Sequence, residues 1–347
     1  MENKLVKRDQ LYFILSILVI MLHSVGYEFY DLNGIELSNT TKVISDFLQY
    51  AITRIAMPCF FIFNGMLFHH GINSFKDLGM KLKSRIHTIV IPYFVWNLIS
   101  IIWNWLVSNL PFLSKNTSVR DEFILTKESF INGLFFFKYN QHNWFLAQII
   151  IFLALSPVVY LLLKKKIVGI VSYLVIVVLY VTNYYLPINL QDHSALYYFL
   201  GALIGSYWYK DFVKFSNSLK GKKITGILCL IGSILIQSIV YYLGVDFLRA
   251  GIPYIFAALL FWMFINTLEH ESRIKSCYKY FYLIFLSHFI VLSCVNKLCW
   301  LFLPKGNIWC ILNLLIGVFG TTGIIVLAGF IMKKNLKPLY SILTGGK

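Results

Sequence analysis

Charge is what this sequence has least of. Only 13% of its 347 residues are Asp, Glu, Lys or Arg, and the acidic ones number 15 against 31 basic. Cysteine is sparse as well. Cys59, Cys229, Cys277, Cys294, Cys299 and Cys310 form no C-x-x-C pair, so neither a zinc site nor a disulfide framework is indicated. Nowhere does a polar stretch run long enough to fold as a separate soluble domain, and no internal repeat is visible at the scale of a helix pair or half the chain.

Apolar residues fill the space left. They make up 58% of the chain, and the mean hydropathy is +0.70. A water-soluble domain of this length could not enclose so much apolar surface. Long apolar runs recur along the chain, several reaching the roughly 18–20 residues that cross a bilayer. The expectation is an all-α membrane protein, a single polytopic bundle of about ten transmembrane helices. The spans fall near 10–29, 44–68, 86–108, 143–163, 167–184, 194–209, 224–242, 251–268, 280–302 and 308–332. The chain reads as one integral-membrane domain, 1–347, in the cell membrane.

The basic excess has a topological reading. With both termini cytoplasmic, the cytoplasmic segments hold about three times as many Lys and Arg as the external ones, the bias that orients helices during insertion. A nucleic-acid role does not follow from it. The first apolar run lacks a small-residue cleavage site and reads as a retained span. One loop is long, 109–142 on the external side; its first half is polar and its second half, INGLFFFKYNQHNWF, is aromatic and suited to the membrane interface.

Polar residues inside the spans narrow the function. A charged side chain at mid-bilayer costs roughly 2.5–3.5 kcal/mol even on the gentler insertion scale, and a histidine there needs hydrogen-bond partners. With Tyr12 set at zero on a continuous helix, Ser16, His23 and Tyr27 fall at about 40°, 20° and 60°, one polar stripe among Ile, Leu, Val and Met. Glu28 falls at about 160°, off that face. His23 lies in the outer half of the bilayer and Arg54 near its middle. His142, Trp144 and Gln148 open the fourth span at its outer end, whereas Asn64, Arg85 and His288 sit nearer the cytoplasm. Bland roles compete with functional ones. An isolated span histidine often only ties helices together, Trp144 suits an aromatic belt, and Arg85 suits an orientation signal.

In chain order these residues form a pattern that resembles the integral-membrane acyltransferase-3 family. Asp9 opens the first span, with His23 fourteen residues later. The second span carries Arg54 followed by IAMPCFFIFNG, with Asn64 where the family has Ser. Arg85 precedes IHTIVIPYFVW; HNWFLAQ, from His142, opens the fourth span; and YLIFLSH ends at His288. Each motif alone is weak, and five in order are fairly specific. Two positions depart from the pattern. Tyr12 stands where the family usually has Arg or Lys, and Thr88, beside His87, replaces the second Arg of Arg-x-x-Arg.

The resemblance implies acetyl-CoA, or another acyl-CoA, as a cytoplasmic donor, with no metal. Its acceptor is a hydroxyl of a surface polysaccharide or lipid-linked sugar outside. His23 and Arg54 become the catalytic pair: imidazole, titrating at about 6.5 when unperturbed, takes the hydroxyl proton, and guanidinium steadies the oxyanion. Arg8, Lys81, Lys83 and Arg85 face the donor phosphates. Tyr12, Ser16, Tyr27, Glu28, Asn64, His142, Trp144 and His288 line the substrate path. Acylation of His23 itself is a variant of this scheme. A flippase or transporter of a lipid-linked glycan is the rival class, disfavoured because no paired, interrupted helices are found.

Overall fold

The computed structural model describes residues 8–109, 124–182, 192–245, 250–268 and 275–346, and every regular element among them is helical. That outcome follows from the solvent. Apolar segments in lipid must satisfy their backbone N–H and C=O groups internally, and a helix does so within one segment. Seven helical stretches are long and apolar enough to cross a membrane, and two shorter apolar helices accompany them. With the helix at Asp192–Leu203 they account for the ten expected spans. The protein is a multi-pass membrane bundle.

The elements run α1 Arg8–His23, α2 Tyr27–Leu32, α3 Asn39–Asp46, α4 Ala56–His69, α5 Phe75–Arg85, α6 Ile91–Asn109, α7 Lys127–Phe135, α8 Trp144–Leu162 and α9 Lys166–Val181. They continue as α10 Asp192–Leu203, α11 Tyr209–Ser218, α12 Lys223–Tyr242, α13 Gly251–Thr267, α14 Lys275–Tyr278, α15 Phe281–Phe302, α16 Asn307–Asn335 and α17 Lys337–Thr344. Wider π turns at Phe47–Ala51 and Ile86–Val90 join α3 toward α4 and α5 to α6. Such turns are frequent at functional sites, and these two lie close in sequence to Arg54 and Arg85.

Close backbone approach holds α4 against α10. A Cβ on Gly65 would collide with the Tyr198 carbonyl, one on Gly201 with Ile62 O, and one on Gly205 with Met66 O. Small residues let membrane helices approach in this way, where no hydrophobic effect drives them together. Pro157 sits inside α8 and deprives the Leu153 carbonyl of its helical donor. The Ser156 hydroxyl donates to that carbonyl at 2.7 Å instead. Away from the core, α9 turns Ile167, Val171, Leu174 and Val178 outward, an apolar face that suits lipid.

The described part of the long loop does not trail outside the bundle. The Thr126 hydroxyl caps α7, and the segment that follows is pinned to the first two turns of α6. Tyr93 Oη donates to Phe135 O at 2.7 Å, Asn97 Nδ2 to Leu134 O at 3.0 Å, and Asn143 Nδ2 to Asn97 Oδ1 at 2.7 Å. Phe137 takes φ +45°, the only positive φ outside glycine among the described residues. A bulky side chain there is strained, and it marks where the chain doubles back. Residues 110–123 of this loop lie outside the described residues.

Candidate functional site

At the N-terminal end of α1 the site opens into a cavity of about 420 Å³. Arg8, Arg85 and Lys279 line it together with Asp9, Tyr12 and Asn64; Phe60, Phe145 and Phe285 form its inner wall. Arg8 and Lys279 are exposed and the three phenylalanines buried, so the basic groups stand at the open end. Arg8 is paired to Asp9 at 2.8 Å. Tyr12 stacks between Phe60 and Phe281, with centroids 5.5 and 5.1 Å away. Asn64 turns its amide to the Phe60 carbonyl at 2.8 Å.

His23 stands at the opposite end of α1 from Arg8, about 22 Å along the helix axis. Separate helices of the expected lengths would leave His142 near the outer surface and His288 toward the cytoplasm. Packing instead brings both to His23. The pinning of Asn143 to α6 draws His142 inward, and α15 lies along α1. The rings of His23 and His142 meet edge to face at 4.0 Å, and His288 lies 5.8 Å from His23 and 5.5 Å from His142. One ring nitrogen from each falls within 4.8 Å of the others. His288 is 2% exposed, His142 half-buried and His23 exposed.

Hydrogen bonding sets the character of this cluster. His288 Nδ1 lies 2.7 Å from the Phe285 carbonyl. His288 Nε2 and His142 Nδ1 are buried with no hydrogen-bond partner, an arrangement that costs free energy unless a ligand completes it. One hydroxyl oxygen at about 2.8 Å from each of two nitrogens spans about 4.6 Å between them, so the space suits a bound hydroxyl. A zinc ion, with Zn–N of about 2.0–2.1 Å, would draw on the same three ring nitrogens. Of the His, Cys, Asp and Glu groups among the described residues, this is the set that could hold a metal.

Arg54 reaches the cluster from the side. Its guanidinium packs over the Tyr50 ring at 5.3 Å and is close enough to act electrostatically on His23. Tyr50 in turn donates to Glu28 at 3.0 Å. Glu28 lies on α2, beyond the end of α1, yet Tyr50 links it to Arg54.

Other expected residues fall elsewhere. Helix α1 stops at His23 and α2 starts at Tyr27, so the polar stripe drawn on one continuous helix breaks there. Tyr27 donates its N–H to Ser45 Oγ at 3.0 Å, and its ring lies 5.7 Å under Lys42. The Ser16 hydroxyl is committed to the carbonyls of Tyr12 and Phe281. Lys81 Nζ donates to the carbonyls of Phe68 and His70, tying down the end of α4; Lys83 is exposed, and neither lines the cavity. Trp144 packs between Phe61 and His193, at 5.9 and 6.0 Å. Lys279, Tyr50 and the Phe60–Phe145–Phe285 wall escaped sequence reasoning. Lys279 had a signal, since it lies three residues before the motif that ends at His288.

A many-helix membrane bundle with a basic-mouthed cavity on one side and a cluster of three histidines at the far end of α1 suits a membrane transferase. The family pattern described as an acyltransferase domain matches residues 9–333, and the chain belongs to the acyltransferase-3 family. No curated protein and no solved structure gives a match.

Proposed function

We propose that the protein moves an acyl group, most simply acetyl, from cytoplasmic acyl-CoA to a hydroxyl of a surface polysaccharide or lipid-linked sugar at the outer face of the cell membrane. One observation carries this reading. The Phe285 side chain walls the inner end of the basic cavity while its carbonyl holds His288 beside His23.

Arg8, Arg85 and Lys279 face the donor's phosphates, where guanidinium offers forked donors and ammonium a point charge. Lys279 takes the part that the sequence pattern suggested for Lys81 and Lys83. A cavity of about 420 Å³ admits the pantetheine arm with a short acyl group and leaves the nucleotide at the mouth. The aromatic wall separates thioester from water, which strengthens each electrostatic contact inside.

The acceptor arrives at the exposed edge of His23. His23 takes the hydroxyl proton as oxygen attacks the thioester carbonyl carbon, the C–S bond breaks, and CoA leaves as thiolate. Arg54 steadies the oxyanion of the tetrahedral intermediate. Glu28, joined to Arg54 through Tyr50, supplies a hydrogen bond to the sugar. The experiment is a comparison of O-acyl content on surface glycans from cells with and without this protein. Loss of one acyl ester supports the reading, whereas unchanged acylation with loss of the whole glycan from the surface points to a transporter.

A further inference from the structure

Resting on the acyl-transfer reading, we propose that His288 is a positioning residue for His23. Its Nδ1–H is anchored on the Phe285 carbonyl and its Nε2 lone pair accepts the N–H of His23, which turns the second nitrogen of His23 toward the acceptor.

The tautomer follows from the partner. A carbonyl oxygen only accepts, so the 2.7 Å contact with Phe285 O places the proton on His288 Nδ1. Neutral imidazole carries a single N–H, and Nε2 is therefore a bare acceptor. That atom is buried without a partner, in a side chain 2% exposed. The rings of His23 and His142 lie beside His288, and one nitrogen of each falls within 4.8 Å of a His288 nitrogen. Both rings lie within reach, His23 at 5.8 Å and His142 at 5.5 Å between centroids, and His23 is assigned as the donor because it is the ring that meets the acceptor. His23 is exposed on its other side, so its second nitrogen stays reachable. The remaining gap closes by a small rotation of His23 as the acceptor seats, since catalytic hydrogen bonds in empty sites are commonly long.

The resulting string runs from the Phe285 carbonyl through His288 to His23 and the acceptor hydroxyl. It follows the logic of a base oriented by a third group, with a backbone-anchored histidine in place of a carboxylate. The proton balance closes. The hydroxyl proton goes to the outward nitrogen of His23 while the C–O bond forms and the C–S bond breaks. The imidazolium shares its inward N–H with His288 Nε2, and His23 then returns one proton to the departing thiolate.

Two measurements test this on the purified full-length protein in detergent. The first compares His288→Gln, whose amide oxygen can sit where Nε2 is, with His288→Leu, each checked for folding by thermal melting. The expected kcat falls about tenfold or less for His288→Gln and by about 10²-fold or more for His288→Leu, with KM for acetyl-CoA within twofold in both. Equal loss in two folded variants, or a loss confined to KM, overturns the proposal. The second is the ¹⁵N NMR spectrum of histidine-labelled protein, in which His288 shows the Nδ1–H tautomer; an Nε2–H tautomer overturns it. An unaltered protein that transfers no acyl group sinks the functional reading, while the tautomer still decides whether the anchor exists.

Discussion

The rings of His23 and His142 meet edge to face, centroids 4.0 Å apart and planes at 85°, although one ends the first span and the other precedes the fourth. Nothing local to either segment arranges this contact. It depends on the loop after α7 being drawn against α6, so a side chain from the outer side of the chain reaches the level of an α1 residue. The chemistry of the site thereby rests on amide hydrogen bonds that never touch a substrate.

The first prediction concerns that support. Asn143 donates to Asn97 Oδ1 at 2.7 Å and to Tyr93 O at 3.4 Å, and both asparagines are buried. Asn143→Leu removes both bonds and leaves the Asn97 oxygen unpaired, a loss of about 1–3 kcal/mol. His142 then loses its place beside His23. The expected result is a protein still inserted in the membrane, with a lowered melting temperature and kcat reduced by 10-fold or more; wild-type kcat would show that the loop position is immaterial.

The basic mouth makes a second prediction. Arg85 lines the cavity, and Arg85→Gln removes a forked, charge-assisted contact worth about 1.5–3 kcal/mol. KM for acetyl-CoA should rise about 10- to 100-fold with kcat nearly unchanged. Lys83 is exposed and outside the cavity lining, so Lys83→Ala should leave KM as it was. Steady-state kinetics with the acceptor saturating checks both.

Packing of α4 on α10 gives a third. A Cβ at Gly201 meets the backbone of Ile62, and backbone cannot swing aside as a side chain can. Gly201→Val should destabilise the bundle by about 1–3 kcal/mol or more through overpacking, read as a lower melting temperature in detergent. Gly79, inside α5, has nothing within 4 Å of its Cβ position, and Gly79→Ala should melt at or slightly above the wild-type temperature.

A fourth prediction separates proton transfer from metal chemistry at the three histidines. If they act as proton acceptors, prior treatment with a chelator leaves acyl transfer unchanged, and added zinc inhibits it by occupying the same lone pairs. Transfer that is lost on chelation and restored by a stoichiometric metal would reassign the cluster as a metal centre.

Much of the architecture was legible in the sequence, because lipid demands long apolar helices and insertion demands basic cytoplasmic loops. His23 and Arg54 stood out because polar groups are costly among apolar neighbours, and Arg85 because it opens a motif of the family pattern. The histidine cluster was not legible. A helical wheel assumes an unbroken helix, and α1 ends at His23, before Tyr27. Linear depth likewise assumes that a loop stays outside, while buried amides hold this one within the bundle. The cavity wall of Phe60, Phe145 and Phe285 was invisible for the opposite reason. Phenylalanine is common throughout the chain, with 30 copies, and only packing distinguishes these three.

The most direct test places the protein in sealed vesicles with radiolabelled acetyl-CoA confined to the cytoplasmic face and a hydroxyl-bearing surface glycan confined to the other. The account predicts label on the glycan with the unaltered protein, and none with His23→Ala inserted at an equal level. Label passing at an undiminished rate with alanine at position 23 would contradict it.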